Sequence, residues 1–212
     1  VGVRQPAHRF MGELIAACRF PLAAPSANRA NQLSPTAAAH VQAQLGGRIP
    51  LVIDGGAAEV GIESTVVDLT GTGAAVLRPG MISSEAIAAL AGTGEASAGD
   101  GLKSPGQLLR HYAPNARLLV LDWADGGHLE EQIAYSRTPA DRVFVIAHTT
   151  LVPGTRFGRV TMLPREPVAY ARALYAELHR CDADGAELIV VETVPDDPDW
   201  VAITDRLARA GG

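Results

Sequence analysis

Residues 118–209 alternate between two patterns: Leu118-Leu119-Val120-Leu121, a helical stretch over Leu129–Ser136, Val143-Phe144-Val145-Ile146-Ala147, a helical stretch over Val168–Arg180, Glu187-Leu188-Ile189-Val190-Val191, and a last helix from Trp200 to Arg209. Short apolar runs separated by helices describe parallel strands joined by crossovers, so this part predicts a parallel sheet with helices packed on it. No glycine fingerprint follows its strands, and Gly92-Thr93-Gly94 neither follows a strand nor opens a helix, so a dinucleotide loop is not expected. Asp205-Arg206-Leu207-Ala208-Arg209 reads as a solvated last helix, with a contact role left open.

Upstream of the sheet, residues 92–115 turn to Gly, Ser, Ala and Asp, the character of a linker. Within it stand Ser104-Pro105-Gly106 and Arg110-His111-Tyr112-Ala113-Pro114. Such an aromatic cluster between prolines fits a linker docked on a surface or one closing over a ligand, with His111 and Tyr112 as lid residues. Before the linker, Ser83-Ser84-Glu85 caps a helix that runs to about Leu90. Residues 61–80 read as a hairpin, strand-like after Ser64, turning at Gly71–Gly73 and returning through Ala75-Val76-Leu77-Arg78-Pro79-Gly80. Glu63, Ser64 and Thr65 sit at a strand mouth, and Arg78 interrupts an apolar strand; each is either solvent-facing or a ligand contact.

Further upstream lies Pro-Leu-Ala-Ala-Pro-Ser-Ala-Asn-Arg-Ala-Asn-Gln-Leu-Ser-Pro-Thr, residues 21–36. Pro25 and Pro35 partly fix a loop that carries Ser26, Asn28 and Asn31. Ser34 is placed to cap, and Pro35 to open, an Ala-rich helix that Gly46-Gly47 ends. A helix N-terminus favours an anion such as phosphate, although most capped helices bind nothing. Leu51-Val52-Ile53 reads as a buried strand closed by Asp54-Gly55-Gly56, and His8–Cys18 as a helix with Phe10, Leu14 and Ile15 in the core. Val1 and Val3 alternate with Gly2 and Arg4, which predicts a short strand with Arg4 near its end. There its planar fork suits a carboxylate. Because Val-Gly-Val-Arg resembles the middle or end of a strand, a lost N-terminal part is expected.

The 212 residues carry a net charge of −5 and are 47% hydrophobic, which fits a sizeable core and disfavours a surface coated for nucleic acid or anionic membrane. Lys103 is the single lysine, so phosphate recognition falls to arginine and backbone rather than to a Walker lysine. Cys18 and Cys181 are far apart, which fits a reducing compartment and buried apolar roles. No apolar segment approaches the roughly 20 residues that span a bilayer, and a cytoplasmic location is expected. The histidines form no H-E-x-x-H or comparable cluster, and no protein-held metal is expected.

Taken together, P-L-A-A-P-S-A-N-R with S-P-T, the D-G-G turn, G-I-E-S-T-V-V-D, V-L-R-P-G, S-P-G and H-Y-A-P resemble the YrdC family. More narrowly the chain is similar to the two-domain L-threonylcarbamoyl-AMP synthases, whose C-terminal domain ends in a D-R-L-x-R-A helix like Asp205–Ala210. The match spans nearly the whole chain, and its strength lies in the order and spacing of motifs that are individually weak.

The resemblance implies an α/β protein. Residues 1–91 would be the C-terminal part of a YrdC-like twisted-sheet domain, 92–116 a linker over the active site, and 117–212 a small Rossmann-like domain. It implies a nucleotidyltransferase that joins L-threonine, bicarbonate and ATP into threonylcarbamoyl-AMP and pyrophosphate, with Mg²⁺ carried by ATP and no covalent enzyme nucleophile. The product feeds threonylcarbamoyladenosine formation in tRNA through downstream threonylcarbamoyltransferase proteins, with weak or indirect RNA contact and no membrane.

By the same resemblance, Arg4, Ala24 and Ser64 line the threonine site, and Ser26, Ser34, Arg78 and Tyr112 contact ATP; no residue is assigned as catalytic. The family's lysine-bearing N-terminal half has no counterpart here, so the chain alone is expected to be poorly active. Two features depart from the family pattern. Gln107-Leu108-Leu109 replaces more aromatic and basic linker residues, and Asn31-Gln32 stands where a Ser-Gly pair is common. The alternatives are a truncated, non-catalytic module that binds nucleotide or RNA in tRNA modification, and a degenerate structural relative that binds neither.

Overall fold

The computed structural model describes residues 1–94, 112–150 and 156–211. Most of the expected linker, with Ser104-Pro105-Gly106, Gln107-Leu108-Leu109 and His111, lies outside these residues. The elements in order are α1 (Arg9–Cys18), α2 (Ala38–Leu45), β1 (Val66–Asp68), β2 (Ala75–Arg78), α3 (Ser84–Ala91), β3 (Arg117–Leu121), α4 (Gly126–Ile133), β4 (Val143–Ala147), β5 (Arg159–Met162), α5 (Pro167–Ala183), β6 (Leu188–Glu192) and α6 (Val201–Gly211).

The second half is the parallel sheet that the alternation predicts, in the order β3-β6-β4-β5, with every pairing parallel. Successive side chains of a strand point to opposite faces. Val143, Val145, Leu188 and Val190 accordingly join Leu129 and Ile133 of α4 in one apolar cluster. Phe144, Ile146, Ile189 and Val191 join Leu174 and Leu178 of α5 and Ile203 and Leu207 of α6 in the other. Burial on both faces explains why β4 is apolar throughout and β6 apolar up to its last residue, Glu192. Helix α5 starts sharply because the Glu166 carboxylate accepts from the N–H groups of Val168 and Ala169 and Pro167 occupies the first turn. Strand β5 is an addition to the predicted elements.

In the first half the hairpin is present as antiparallel β1 and β2, with Val67 opposite Val76 and Asp68 opposite Ala75. The Asp68 carboxylate closes its turn by accepting from the N–H and hydroxyl of Thr70 at 2.9 and 2.7 Å. Ser83 caps α3 as predicted, accepting from Ala86 N–H.

Other expectations are corrected. Val1–Val3 and Leu51–Ile53 form no strand; among the described residues neither segment has a strand to pair with, and Leu51 is 70% exposed. Helix α1 forms, but Phe10 and Leu14 are exposed and Ile15 only half-buried. Helix α2 starts at Ala38 behind Ala37, not at Pro35, because the Ser34 hydroxyl is drawn to Glu63 instead of capping. Cys18 is half-buried, whereas Cys181 is fully enclosed.

The two halves meet where the segment before β1 lies on α5. Gly61 has φ +86°, and a Cβ there would come within 2.4 Å of Arg172 Cα and 2.6 Å of the Ala171 carbonyl oxygen. A side chain would both strain the backbone and push the segment off the helix. Gly61→Ala is expected to lower stability by about 1–3 kcal/mol, read as a shift in the urea midpoint at unchanged slope.

Candidate active site

Glu63 stands at the junction of the two halves. Its carboxylate accepts from the Ser34 hydroxyl at 2.5 Å, from the Tyr175 hydroxyl at 3.2 Å and from Arg206 Nε at 2.6 Å. Tyr175 belongs to α5 and Arg206 to α6, so the C-terminal helices reach into the segment before the hairpin. Arg206 is wholly buried and also donates from Nη2 to the carbonyls of Glu63 (3.2 Å) and Pro79 (2.9 Å), and from Nη1 to Asp205 (2.5 Å). Asp205 in turn accepts from Arg209 at 2.8–3.0 Å. A buried guanidinium is tolerated only when its charge and its donors are met, and here they are.

Arg78 lies on the other side of the same segment. Its Nε and Nη2 donate to the Ser64 carbonyl at 3.2 and 3.0 Å, and Nη1 donates to the Tyr112 hydroxyl at 3.2 Å. Tyr112 takes a left-handed backbone at φ 60° and is buried against Tyr175, with ring centroids 6.4 Å apart. Gly80 allows the close packing: a Cβ there would fall 2.2 Å from the Thr65 backbone nitrogen. Burial, then the Glu63 charge, raises the Tyr175 phenol well above its ordinary value and raises that of Tyr112 to a lesser degree, so both keep their protons.

The loop before α2 is anchored from the opposite side. His179 Nε2 lies 3.0 Å from the Ser34 carbonyl, and its ring stacks on that of His40 at 3.9 Å. His40 Nδ1 accepts from Thr36 N–H at 3.2 Å. Burial lowers the affinity of both rings for protons; each titrates below its usual range, His40 further discouraged by the charge of His179. Beside this loop the Ala113 N–H donates to the Asn31 carbonyl, and the Asn115 N–H to the Asp182 carboxylate.

Two family models cover the chain. The model described as "Threonylcarbamoyl-AMP synthase, C-terminal domain" matches residues 82–212, and one described as "Telomere recombination" matches residues 1–80. The chain belongs to the threonylcarbamoyl-AMP synthase C-terminal domain family.

Among relatives of this family, the threonylcarbamoyl-AMP synthase of Pyrococcus abyssi is 34% identical over 221 residues, covering 100% of this chain and 64% of the relative. That of Schizosaccharomyces pombe is 31% identical, covering 98% and 56%, and that of Bacillus subtilis 32% identical, covering 100% and 63%. The crystal structure of P. abyssi Sua5 complexed with L-threonine superposes with a TM-score of 0.81 at 34% identity, over 99% of this chain and 63% of that one. The chain thus spans between 56% and 64% of the length of these curated relatives.

Of the residues that the family resemblance singles out, the structure gathers Ser34, Ser64, Arg78 and Tyr112 around Glu63 and Arg206. Arg4, Ala24 and Ser26 are exposed, and among the described residues no hydrogen bond ties them to that group. Arg4 is not at a strand end, because the strand is not formed. Sequence reading missed Glu63, Tyr175, His179 and Arg206 as a connected set, and the expectation that Arg206 is solvated is reversed by its complete burial. The signal for Arg206 was available: it falls on the apolar stripe Ala202, Ile203, Leu207 and Ala210 of α6.

A separate hollow of about 400 Å³ opens at the amino end of β4 between Ile133, Val143, Arg156 and Phe157, and shares no residue with this group. Among the described residues no cluster of His, Cys, Asp and Glu is placed to hold a metal ion, and no helix is long and apolar enough to cross a membrane.

Proposed function

We propose that this chain forms part of an L-threonylcarbamoyl-AMP synthase, a transferase acting in tRNA modification. The observation that carries the reading is the convergence of Ser34, Ser64, Arg78 and Tyr112 on one junction, in a chain superposing on a relative solved with L-threonine. In this reading the threonine amine and bicarbonate give the carbamate and water. A carbamate oxygen then attacks the α-phosphorus of ATP, the bond to the β-phosphate oxygen breaks, and pyrophosphate leaves with the Mg²⁺ that entered with ATP.

Arg4 forks the threonine carboxylate, and Ala24 and Ser64 line the same threonine site. Ser26, Ser34 and Tyr112 face the nucleotide, and Arg78 sets a fixed positive charge beside its phosphates. Hydrogen bonds hold Ser34, Arg78, Tyr112 and the Ser64 backbone before substrate arrives, which is the orientation such a transfer needs. The adenylate passes to threonylcarbamoyltransferase proteins in the cytoplasm.

The test is pyrophosphate release from ATP and Mg²⁺ by the full-length gene product. Release should require both threonine and bicarbonate, and Arg78→Ala should lower kcat/KM about a hundredfold. A folded product that releases none under these conditions would refute the reading.

A further inference from the structure

Arg206 is a costly residue for its position. Desolvating a guanidinium is expensive, and replacing a buried ion pair by apolar side chains of similar volume is often neutral or stabilising. Helix α6 already packs through Ala202, Ile203, Leu207 and Ala210, so a leucine in the same stripe would serve packing alone. The arginine supplies direction. One guanidinium spans the Glu63 carboxylate at 2.6 Å, the Glu63 carbonyl at 3.2 Å and the Pro79 carbonyl at 2.9 Å, which are points on the two separate segments that the hairpin joins.

Each of those points adjoins a residue of the proposed site. Glu63 precedes Ser64, whose carbonyl is gripped by Arg78, and Pro79 follows Arg78 itself. Arg206 and Arg78 thus hold consecutive carbonyls, those of Glu63 and Ser64. The remaining Glu63 oxygen receives the Ser34 hydroxyl, which fixes the loop entering α2 in the same frame. A displacement of α6 is therefore transmitted to Ser34, Ser64 and Arg78 together, through bonds rather than through a general loosening.

We propose that Arg206 is a positioning residue for the threonine and ATP site, acting through Glu63 and Pro79, so that the C-terminal domain completes the geometry of a site whose substrate-facing residues lie in the other half. This rests on the synthase reading.

The variant that tests it is Arg206→Lys in the full-length product. An ammonium can keep the charge pair with Glu63, but as a compact point charge it cannot reproduce the planar fork that grips both carbonyls. The expected result is a variant that still folds cooperatively, with a lowered thermal midpoint, and that shows, at a temperature where it is fully folded, a threonine KM raised about tenfold and a smaller change in kcat, the signature of lost site geometry rather than lost folding. Glu63→Gln, which keeps shape but halves the acceptor set, should raise the same KM, and it carries the test should Arg206→Lys fail to fold. An unchanged threonine KM in the folded variant overturns the role, as does a loss of activity that merely follows the fraction unfolded. Wild-type product that releases no pyrophosphate would overturn the synthase reading and this role with it; active wild type beside an unchanged variant overturns the role alone.

Discussion

Glu63→Leu is expected to destabilise the protein by about 3–5 kcal/mol, the range found when one partner of a buried ion pair is removed. Arg206 has no exposure, so its charge cannot turn to water once the carboxylate is gone. Asp205 still faces its Nη1 at 2.5 Å, but that carboxylate is shared with Arg209 and lies on the far side of the guanidinium from Nε. The substitution also strips the Ser34 and Tyr175 hydroxyls of their acceptor, at about 1 kcal/mol or more for each hydroxyl left buried without a partner.

The paired change Glu63→Leu with Arg206→Leu distinguishes charge from packing. Removing both charges together should recover most of the loss, giving a large coupling in a double-mutant cycle of urea midpoints. A single Glu63→Leu variant within about 1 kcal/mol of the wild type would mean that Asp205 alone compensates the arginine.

The difference between the two halves explains how much of the structure was legible in the sequence. Strands β4 and β6 are covered on both faces, so their burial is written as uninterrupted apolar runs over residues 143–147 and 188–191 that need no knowledge of the neighbours. Strand β5 is an edge of four residues, Arg159–Met162, with alternating exposure and a charged first residue, and its pattern is too short and too polar to stand out. Leu51–Ile53 shows the opposite failure. An apolar run becomes a strand only when a partner meets its backbone, and among the described residues none does.

The site divides in the same way. Ser34, Ser64, Arg78 and Tyr112 sit in local motifs, whereas the Glu63–Arg206 pair joins residues 143 positions apart. Each partner left a local trace, an acid between Ile62 and Val66 and an arginine on an apolar helical stripe. Nothing in the sequence pattern joined the two.

Stability should fall in two stages as the pH is lowered, and the deeper stage belongs to Glu192. Burial by itself would raise the affinity of this carboxylate for a proton. Against it, the N–H groups of His148, Thr149 and Thr150 and the Thr149 hydroxyl all donate to its oxygens and together bring its pKa down to about 2. A carboxyl depressed in the fold binds fewer protons there than in the unfolded chain. Its stabilisation is complete above the ordinary value of 4.5 and is lost as pH falls through that value toward about 2, a contribution of about 3 kcal/mol.

The earlier stage comes from His148, His40 and His179. Burial lowers all three, and in His148 it outweighs the adjacent Glu192 charge, with Arg165 acting in the same direction as burial. Their neutral forms favour the fold above about 6.5, and that advantage declines as pH falls below it. Urea midpoints at pH 7, 5 and 3 should therefore decrease in sequence. Glu192→Gln removes the charge that the three N–H groups favour, so it should be less stable at pH 7 and should flatten the drop between pH 5 and pH 3, leaving the histidine stage in place. A variant that keeps the full wild-type drop below pH 5 would show that the acid sensitivity resides in other carboxylates.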